Sequence, residues 1–277
     1  MADDDSAAPA ARDTAADAGL DTSVPHSARV WNYWLGGNDN YAADREAGDR
    51  FLDVFPGMAQ GARASRAFLA RTVGYLAGEA GIRQFLDVGT GLPTVDNTHE
   101  VAQAVAPDAR IVYVDNDPLV LLHARALLTS SPEGATSYVD ADLRDPDRIL
   151  SEAARTLDFS QPIGLMLMGI LGHIADYDEA RSIVRRLVEA LPPGSYLTVN
   201  DGTNVFSDAN AEAHREYNEN SGGAPYIQRS PEELGAFFDG LEPVDPGLVS
   251  VTRWRPDPSP FGEPPEVDGF GAVGRKP

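Results

Sequence analysis

The sequence of residues 84–91 is QFLDVGTG, and this stretch is the strongest indication of the fold class. The short apolar run 84–88 ends in two glycines, Gly89 and Gly91, ahead of a helix that the sequence predicts to begin near Asn97. An apolar run of this length that leads through glycines into a helix is typical of the first strand of a parallel sheet. Glycines there let the backbone turn sharply and let a ligand approach it without a Cβ in the way.

The alternation of strand and helix continues toward the C-terminus. Further strands are predicted at 110–114, 136–139, 162–168 and 195–199, with closing strands at 248–254 and 270–274. Helices are predicted from Asn97, over 119–128, from Asp145, over 178–191 and 208–219, and from Ser230. Strands that alternate with helices of this size indicate βαβ units and a parallel sheet. We therefore expect an α/β fold with a doubly wound, mostly parallel sheet and a helical N-terminal extension.

The N-terminal part of the chain has a different character. Residues 1–22 carry six aspartates against one arginine and lack the basic start and apolar stretch of a signal peptide, so we expect a disordered acidic tail. Residues 23–80 show helical spacing, interrupted at 36–38 and 55–57, which predicts two or three helices. The expected organisation is the tail, then a helical extension or lid, then a ligand-binding domain over 81–277.

Composition excludes several classes of function. The 277 residues include 22 basic and 43 acidic side chains, a net charge of −21, which argues against binding to nucleic acids or to anionic membrane surfaces. The chain has no cysteine, which excludes disulfides, thiolate metal sites and cysteine nucleophiles. No apolar run reaches the length of a transmembrane helix. We expect a cytoplasmic protein without a metal site.

An acid at the end of the second predicted strand indicates the type of ligand. Asp115 lies 26 residues after Gly89, where a carboxylate can accept hydrogen bonds from a ribose diol. The alternative is a capping role, which Asp117 fills better. A dinucleotide fingerprint would have a third glycine at the position of Thr94, and no phosphate-binding lysine motif follows. Adenosine without phosphates therefore fits best, and S-adenosylmethionine (SAM) also has an amino group that suits Asp87.

The third predicted strand ends in the acids Asp140 and Asp142. A carboxylate there can accept the exocyclic amine of adenine while Leu143 packs on the ring. We choose Asp142, because Asp140 still belongs to the alternation of the strand. The alternative is that both acids face solvent or cap the next helix.

These stretches together resemble the class I SAM-dependent methyltransferases. More narrowly, the chain is similar to a bacterial S-adenosyl methyltransferase family first catalogued as a domain of unknown function. The matching stretches are 26–31 (HSARVW), 35–46 (LGGNDNYAADRE), 66–69 (RAFL), 81–94 (GIRQFLDVGTGLPT), 112–118 (VYVDNDP) and 140–144 (DADLR). The resemblance implies a Rossmann-like sheet of seven strands, but no particular acceptor.

The resemblance also implies a SAM site. Its expected residues are Asp87, Gly89, Thr90, Gly91, Asp115, Asn116, Asp142, Leu143 and Gly169. One stretch departs from the family pattern, because Val95 and Asp96 stand where Gln-Gly is expected. The end of the fourth strand also differs from many methyltransferases. Family members often have a combination of small residues and a histidine there, and here it is MGILGH (168–173).

Methyl transfer needs alignment of the acceptor and, for a weakly acidic acceptor, a base. His173 follows the fourth strand and is the candidate base; the alternative is a core histidine. His214 either faces the acceptor or is exposed, and His99 is expected to be structural. A lid hypothesis places Tyr33 and Asn38 against the ligand, whereas the alternative is a helix–turn–helix that buries Trp31 and Trp34.

We therefore expect a SAM-dependent methyltransferase that acts on a small-molecule acceptor. One alternative is a non-catalytic SAM-binding or regulatory protein. A less favoured alternative is a nicotinamide-dependent oxidoreductase, against which the missing third glycine counts. The sequence does not predict the oligomeric state.

Overall fold

The computed structural model of the chain describes residues 21–127, 130–260 and 262–277. The acidic tail predicted for 1–22 lies outside these ranges except for its last two residues. The described chain begins with three helices, α1 (Ser27–Trp34), α2 (Ala42–Val54) and α3 (Met58–Gly78). The breaks between them fall at the predicted glycine-containing and proline-containing loops, and Gly36 there has a positive φ of 84°.

A single sheet forms the centre of the molecule. Its strands are β1 (Gln84–Val88), β2 (Arg110–Asp115), β3 (Ala135–Asp140), β4 (Gly164–Met168), β5 (Tyr196–Gly202), β6 (Glu242–Pro243), β7 (Val249–Ser250) and β8 (Gly269–Arg275). The order is β3-β2-β1-β4-β5-β8-β6, and β7 also pairs with β8. Strands β1 to β5 are parallel to one another, and β8 is antiparallel to β5, β6 and β7. The predicted Rossmann-like, mostly parallel α/β fold is confirmed.

The described sheet has eight strands, whereas seven were predicted. The strand predicted at 248–254 is reduced to Val249–Ser250 and is followed by a 3₁₀ turn, Val251–Arg253. A second short strand, Glu242–Pro243, pairs with the other end of β8. Pro243 and Pro246 have no N–H to donate to a ladder, so a continuous edge strand cannot form across this segment.

The remaining helices follow the strands. They are α4 (Thr98–Val105), α5 (Pro118–Leu127), α6 (Pro146–Ala153), α7 (Tyr177–Glu189), α8 (Asp208–Asn220) and α9 (Pro231–Gly235), with 3₁₀ turns at Leu171–His173 and Ala236–Phe238. Three of the caps that begin them are those predicted: Asn97 and Glu100 form a capping box, Asp145 accepts from the Arg148 N–H, and Ser230 accepts from the Glu233 N–H. The caps of α7 and α8 are Asp176 and Ser207, which were not predicted.

Both faces of the sheet are buried, which explains the continuous apolar character of its strands. On β1, Leu86 packs in one core with α6 and α7, and Phe85 packs in the opposite core with α3 and α4. Phe68 of α3 is completely buried in this second core, with its ring centroid 5.6 Å from that of Trp254. Helix α3 is therefore part of the core of the sheet domain.

We expect Phe68→Ala to lower the free energy of unfolding by about 3–5 kcal/mol, because it leaves a cavity between α3 and the sheet. Urea unfolding followed by circular dichroism measures this. The control is Val105→Ala on α4, whose side chain is 50% exposed, with an expected change within about 0.5 kcal/mol. A loss below about 1 kcal/mol for Phe68→Ala would contradict the assignment of α3 to the core.

Candidate functional site

A cavity of about 560 Å³ opens at the carboxyl ends of the parallel strands. It lies where β1 has β2 on one side and β4 on the other, which is the switch point at which doubly wound sheets bind ligands. Several predicted residues line it: Asp87, Gly89, Thr90, Gly91, Asp115, Asn116, Asp142, Leu143, Gly169 and His173. Residues separated widely in sequence are thus brought to one site.

The two glycines after β1 are required for different reasons. Gly89 has a φ of 74°, and a Cβ at this position would lie 2.5 Å from Cγ1 of Ile170. Gly91 has a φ of 69°, but a Cβ there would meet nothing within 4 Å. Packing against the loop after β4 therefore demands glycine at position 89, and backbone conformation alone favours it at position 91.

Asp115 fastens this loop to the end of β2. Its Oδ2 accepts from the N–H of Gly91 at 2.9 Å, and its Oδ1 accepts from the N–H of Asp117 at 3.0 Å. Burial raises the pKa of Asp115, against the opposing effect of these two hydrogen bonds. A carboxylate has about four lone-pair positions, so acceptor capacity remains for ligand hydroxyls. Capping of α5 falls to Asp117, which accepts from the Leu119 N–H at 2.8 Å.

At the end of β1, the carboxylate of Asp87 interacts electrostatically with the guanidinium of Arg66. Asp87 is buried and accepts from Oγ1 of Thr98 at 2.6 Å. Burial raises its pKa to about 6, although the Thr98 hydroxyl and the guanidinium of Arg66 act against the rise. Arg66 donates to the backbone carbonyls of Val95 and Asp96. The Arg66 side chain lines the cavity, and its Nε is buried and makes no hydrogen bond to any described residue.

At the end of β3, the two candidate acids Asp140 and Asp142 lie in different surroundings. Asp142 is half-buried, lines the cavity and accepts from the Arg144 N–H at 2.8 Å. Asn116 lies 3.4 Å from Asp142 through Nδ2, and Leu143 is buried beside it. Asp140 is exposed and lies outside the cavity lining. This arrangement supports the choice of Asp142 over Asp140.

After β4, the backbone turns at Gly169, whose φ is 68°, into the 3₁₀ turn that carries His173. Nδ1 of His173 lies 2.9 Å from the carbonyl oxygen of Pro225. Because a carbonyl only accepts, Nδ1 carries the proton and Nε2 keeps its lone pair. Burial lowers the pKa of His173. The ring is therefore neutral and able to take a proton.

The sequence prediction did not include the end of β5. Asp201 is buried there and accepts from the Gly172 N–H at 3.0 Å, from the Gly202 N–H at 3.2 Å, and from the hydroxyl of Tyr226. Burial raises the pKa of Asp201 to about 7, and Arg229 opposes the rise. The position of Asp201 near the end of a predicted strand could have indicated a site residue. For Arg66 the sequence gives only the family resemblance of the RAFL stretch, and for Tyr226 it gives no signal.

The structure does not bring Tyr33 or Asn38 to the cavity. The Tyr33 hydroxyl donates to Asp49, and Asn38 is exposed in the loop after α1. Helix α1 does cover the cavity, but with another face, since the lining residues Trp31 and Trp34 are separated by nearly one turn and Tyr33 lies between them on the far side. Helix α1 thus lines the cavity with other side chains than predicted, and its role as a lid stays a prediction.

Two of the other histidines, His99 and His214, differ in their surroundings. His99 is buried, and its backbone N–H and Nδ1 lie 2.8 and 2.9 Å from the Tyr113 hydroxyl, which is a structural contact. His214 lines the cavity.

Within the described ranges, no group of three or more acidic or histidine side chains is placed to hold a metal ion. None of the helices in the same ranges has the length and apolar character to cross a membrane.

Comparison with known proteins gives one family and two close structures. The model of the family described as S-adenosyl methyltransferase matches residues 13–277. A DUF574 family protein from Streptomyces avermitilis is 46% identical, with a TM-score of 0.88 over 93% of this chain and 99% of that one. A candidate methyltransferase from Thermobifida fusca is 45% identical, with a TM-score of 0.85 over 93% and 97% of the two chains. None of the curated proteins matches.

Proposed function

The chain belongs to the S-adenosyl methyltransferase family, and from this membership we propose that it transfers the methyl group of SAM to a small-molecule acceptor in the cavity beside His173. The observation that carries the proposal is the placement of Asp87, Asp115 and Asp142 at the ends of three neighbouring strands around one cavity. The cavity volume is in the range of about 300–1,000 Å³ usual for small-molecule sites. The cysteine-free composition is consistent with the cytoplasmic location that we propose.

The cavity fits SAM on the evidence of its polar groups. The methionyl part of SAM is a zwitterion, and the cavity offers Asp87 for the ammonium and the unpartnered Nε of Arg66 for the carboxylate. Asp115 would hold the ribose hydroxyls, and Asp142 the exocyclic amine, with Leu143 against the ring. The residues Thr90, Gly91, Asn116 and Gly169 complete the wall of this part of the cavity.

When bound, SAM supplies a methyl group on a sulfonium, which passes to the nucleophilic atom of the acceptor as the S–C bond breaks and S-adenosylhomocysteine (SAH) forms. His173 takes the proton released by an acceptor at Nε2, because Nδ1 is already held by the carbonyl of Pro225. Helix α1 covers the cavity and excludes water from it.

Release of SAH in the presence of a panel of small-molecule acceptors tests this function. With an acceptor that supports turnover, we expect His173→Gln to lower kcat about a hundredfold, while SAM affinity stays within about twofold, since the base acts on the acceptor. His123→Gln is the control, because His123 lies outside the cavity lining. Binding of SAH without any turnover across the panel would instead favour a non-catalytic SAM-binding protein.

The raised pKa of Asp87 predicts a pH dependence of ligand binding. The ligand ammonium pairs with the ionised carboxylate of Asp87, and burial raises the pKa of this group to about 6 in the protein without ligand. Affinity for SAH should therefore be highest above pH 6 and fall below it, approaching about tenfold per pH unit. Calorimetry from pH 5 to 8 measures this.

Asp87→Asn serves as the control for this titration. Burial also raises the pKa of Asp115, so protonation of either acid can weaken binding at low pH. The variant separates the contribution of Asp87. We expect weaker binding and a flatter pH profile in Asp87→Asn. A profile of the unmodified protein that stays flat down to pH 5 would contradict the assignment of Asp87 to the amino group.

A further inference from the structure

One part of the cavity is walled by a continuous series of aromatic rings. Trp31 and Trp34 of α1 have ring centroids 6.0 Å apart, and Phe51 of α2 follows at 4.9 Å from Trp34. His214 of α8 lies 4.8 Å from Phe51, and Tyr226 lies 5.4 Å from His214. We call this set, together with His173 at 5.2 Å from Tyr226, the aromatic chamber. All its members line the cavity.

The polar group that His214 offers to this chamber is a hydrogen-bond acceptor. Its Nδ1 lies 2.9 Å from the carbonyl oxygen of Asn210, one turn earlier on the same helix. The carbonyl only accepts, so Nδ1 carries the proton and Nε2 keeps a lone pair. Burial lowers the pKa of His214 to about 4, and the ring is neutral at pH 7. No described residue donates a hydrogen bond to Nε2.

Within the described part of the chain, the chamber has no free cationic side chain for an anionic acceptor, and the carboxylates near it already have partners. Asp201 accepts from two backbone N–H groups and the hydroxyl of Tyr226. Glu266 and Asp268 also line the cavity; Glu266 lies 3.9 Å from Arg253, and Asp268 accepts from the Phe206 N–H at 2.7 Å. Among the described residues that line the cavity, the arginines are Arg66 and Arg144. Arg66 interacts with Asp87, and Arg144 is exposed, with nitrogens 3.5 Å from Asp142 and 3.8 Å from Glu179. An anionic acceptor would therefore lose its hydration without gaining a counter-ion.

We propose that the acceptor is an uncharged aromatic compound with a hydroxyl group, held among the rings of the aromatic chamber, and that this hydroxyl donates a hydrogen bond to Nε2 of His214. The inference rests on the proposed methyltransferase function and specifies its substrate class. Flat aromatic faces pack favourably in stacked and edge-on arrangements against such walls. A hydrogen-bond acceptor that lines the cavity without a protein partner selects a ligand that donates, because an analogue lacking the donor leaves this nitrogen unpaired in the complex.

Three naphthalenes of matched ring size test the charge preference: 2-naphthol, 2-naphthoate and 2-naphthylmethylammonium, titrated calorimetrically at pH 7 into protein saturated with SAH. We expect 2-naphthol to bind at least about tenfold more tightly than either ion. Equal or tighter binding of either ion overturns the proposal, as does failure of 2-naphthol to bind to protein that does bind SAH. Failure of SAH itself to bind contradicts the proposed function on which the inference rests.

A variant isolates the hydrogen bond from the packing. His214→Phe keeps a ring against Phe51 and removes the lone pair, so affinity for 2-naphthol should fall about fivefold, and affinity for 2-methylnaphthalene should stay within about twofold. His123→Phe, outside the cavity lining, is the matched control and should change neither affinity. Unchanged binding of 2-naphthol to His214→Phe, or an equal loss for both compounds, overturns the role of His214 in selecting the hydroxyl.

Discussion

Asp115→Ala is expected to weaken binding of SAH by about 10²- to 10⁴-fold. The carboxylate is placed to accept hydrogen bonds from ribose hydroxyls, and bonds to a charged group contribute about 1.5–3 kcal/mol each. The variant also removes the acceptor that holds the N–H of Gly91 at 2.9 Å, so the loop after β1 loses its attachment to β2. Calorimetric titration with SAH measures the effect, and circular dichroism establishes that the variant is folded.

Asp140→Ala is the matched control for Asp115→Ala. Asp140 lies beside Asp115 in the register of β2 and β3, one strand further along the sheet. It is exposed and outside the cavity lining, so SAH affinity should stay within about twofold. A loss of less than about fivefold in Asp115→Ala, or a comparable loss in both variants, would contradict the assignment of Asp115 to the ligand.

Gly89→Ala is expected to destabilise the protein by about 2–5 kcal/mol and to abolish micromolar binding of SAH. A non-glycine residue in the left-handed region costs about 1–2 kcal/mol, and overpacking adds about 1–3 kcal/mol. The overpacking arises because the new Cβ would lie 2.5 Å from Cγ1 of Ile170. Relief of this contact displaces either the loop after β1 or the turn after β4, and both line the cavity. Urea unfolding and calorimetry measure the two effects.

Gly81→Ala separates backbone strain from the contact with Ile170. Gly81 has nearly the same φ, 72°, but a Cβ there would meet nothing within 4 Å, and the residue lies outside the cavity lining. We expect a loss of about 1–2 kcal/mol in stability and unchanged SAH affinity. If Gly81→Ala and Gly89→Ala were equally destabilising and bound SAH equally well, the packing requirement at position 89 would be disproved.

The parts of the fold that local signals determine were predictable from the sequence. The bounds of β1, the glycine turn after it and the caps at Asn97, Asp145 and Ser230 each depend on neighbouring residues, and the structure has them at the expected positions. Asp115 and Asp142 were placed by one topological rule, that the carboxyl ends of parallel strands share an edge. The short strand β6 escaped prediction, and the strand predicted at 248–254 is shortened to β7, because tertiary pairing with β8, rather than apolar alternation, defines both.

The rest of the site depends on contacts between distant segments. The charge of Arg66, on α3, acts on Asp87, and the hydroxyl of Tyr226, from a loop, donates to Asp201, without any periodic pattern to indicate either interaction. Tyr33 and Asn38 show a different limit. The aromatic and polar composition of that segment led to the lid hypothesis, which stays a prediction, but composition does not determine which face of α1 points inward. Rotation of that helix, fixed by packing, gives the lining to Trp31 and Trp34 instead.

The proposed function requires that the cavity at the end of β1 binds SAM. Calorimetric titration of the unmodified protein with SAM, SAH and NADH is the direct test of this binding. We expect SAM and SAH to bind with one site per chain and micromolar dissociation constants, and NADH not to bind, since Thr94 replaces the third glycine that a dinucleotide site needs. Binding of NADH without binding of SAM or SAH would contradict the claim and favour an oxidoreductase.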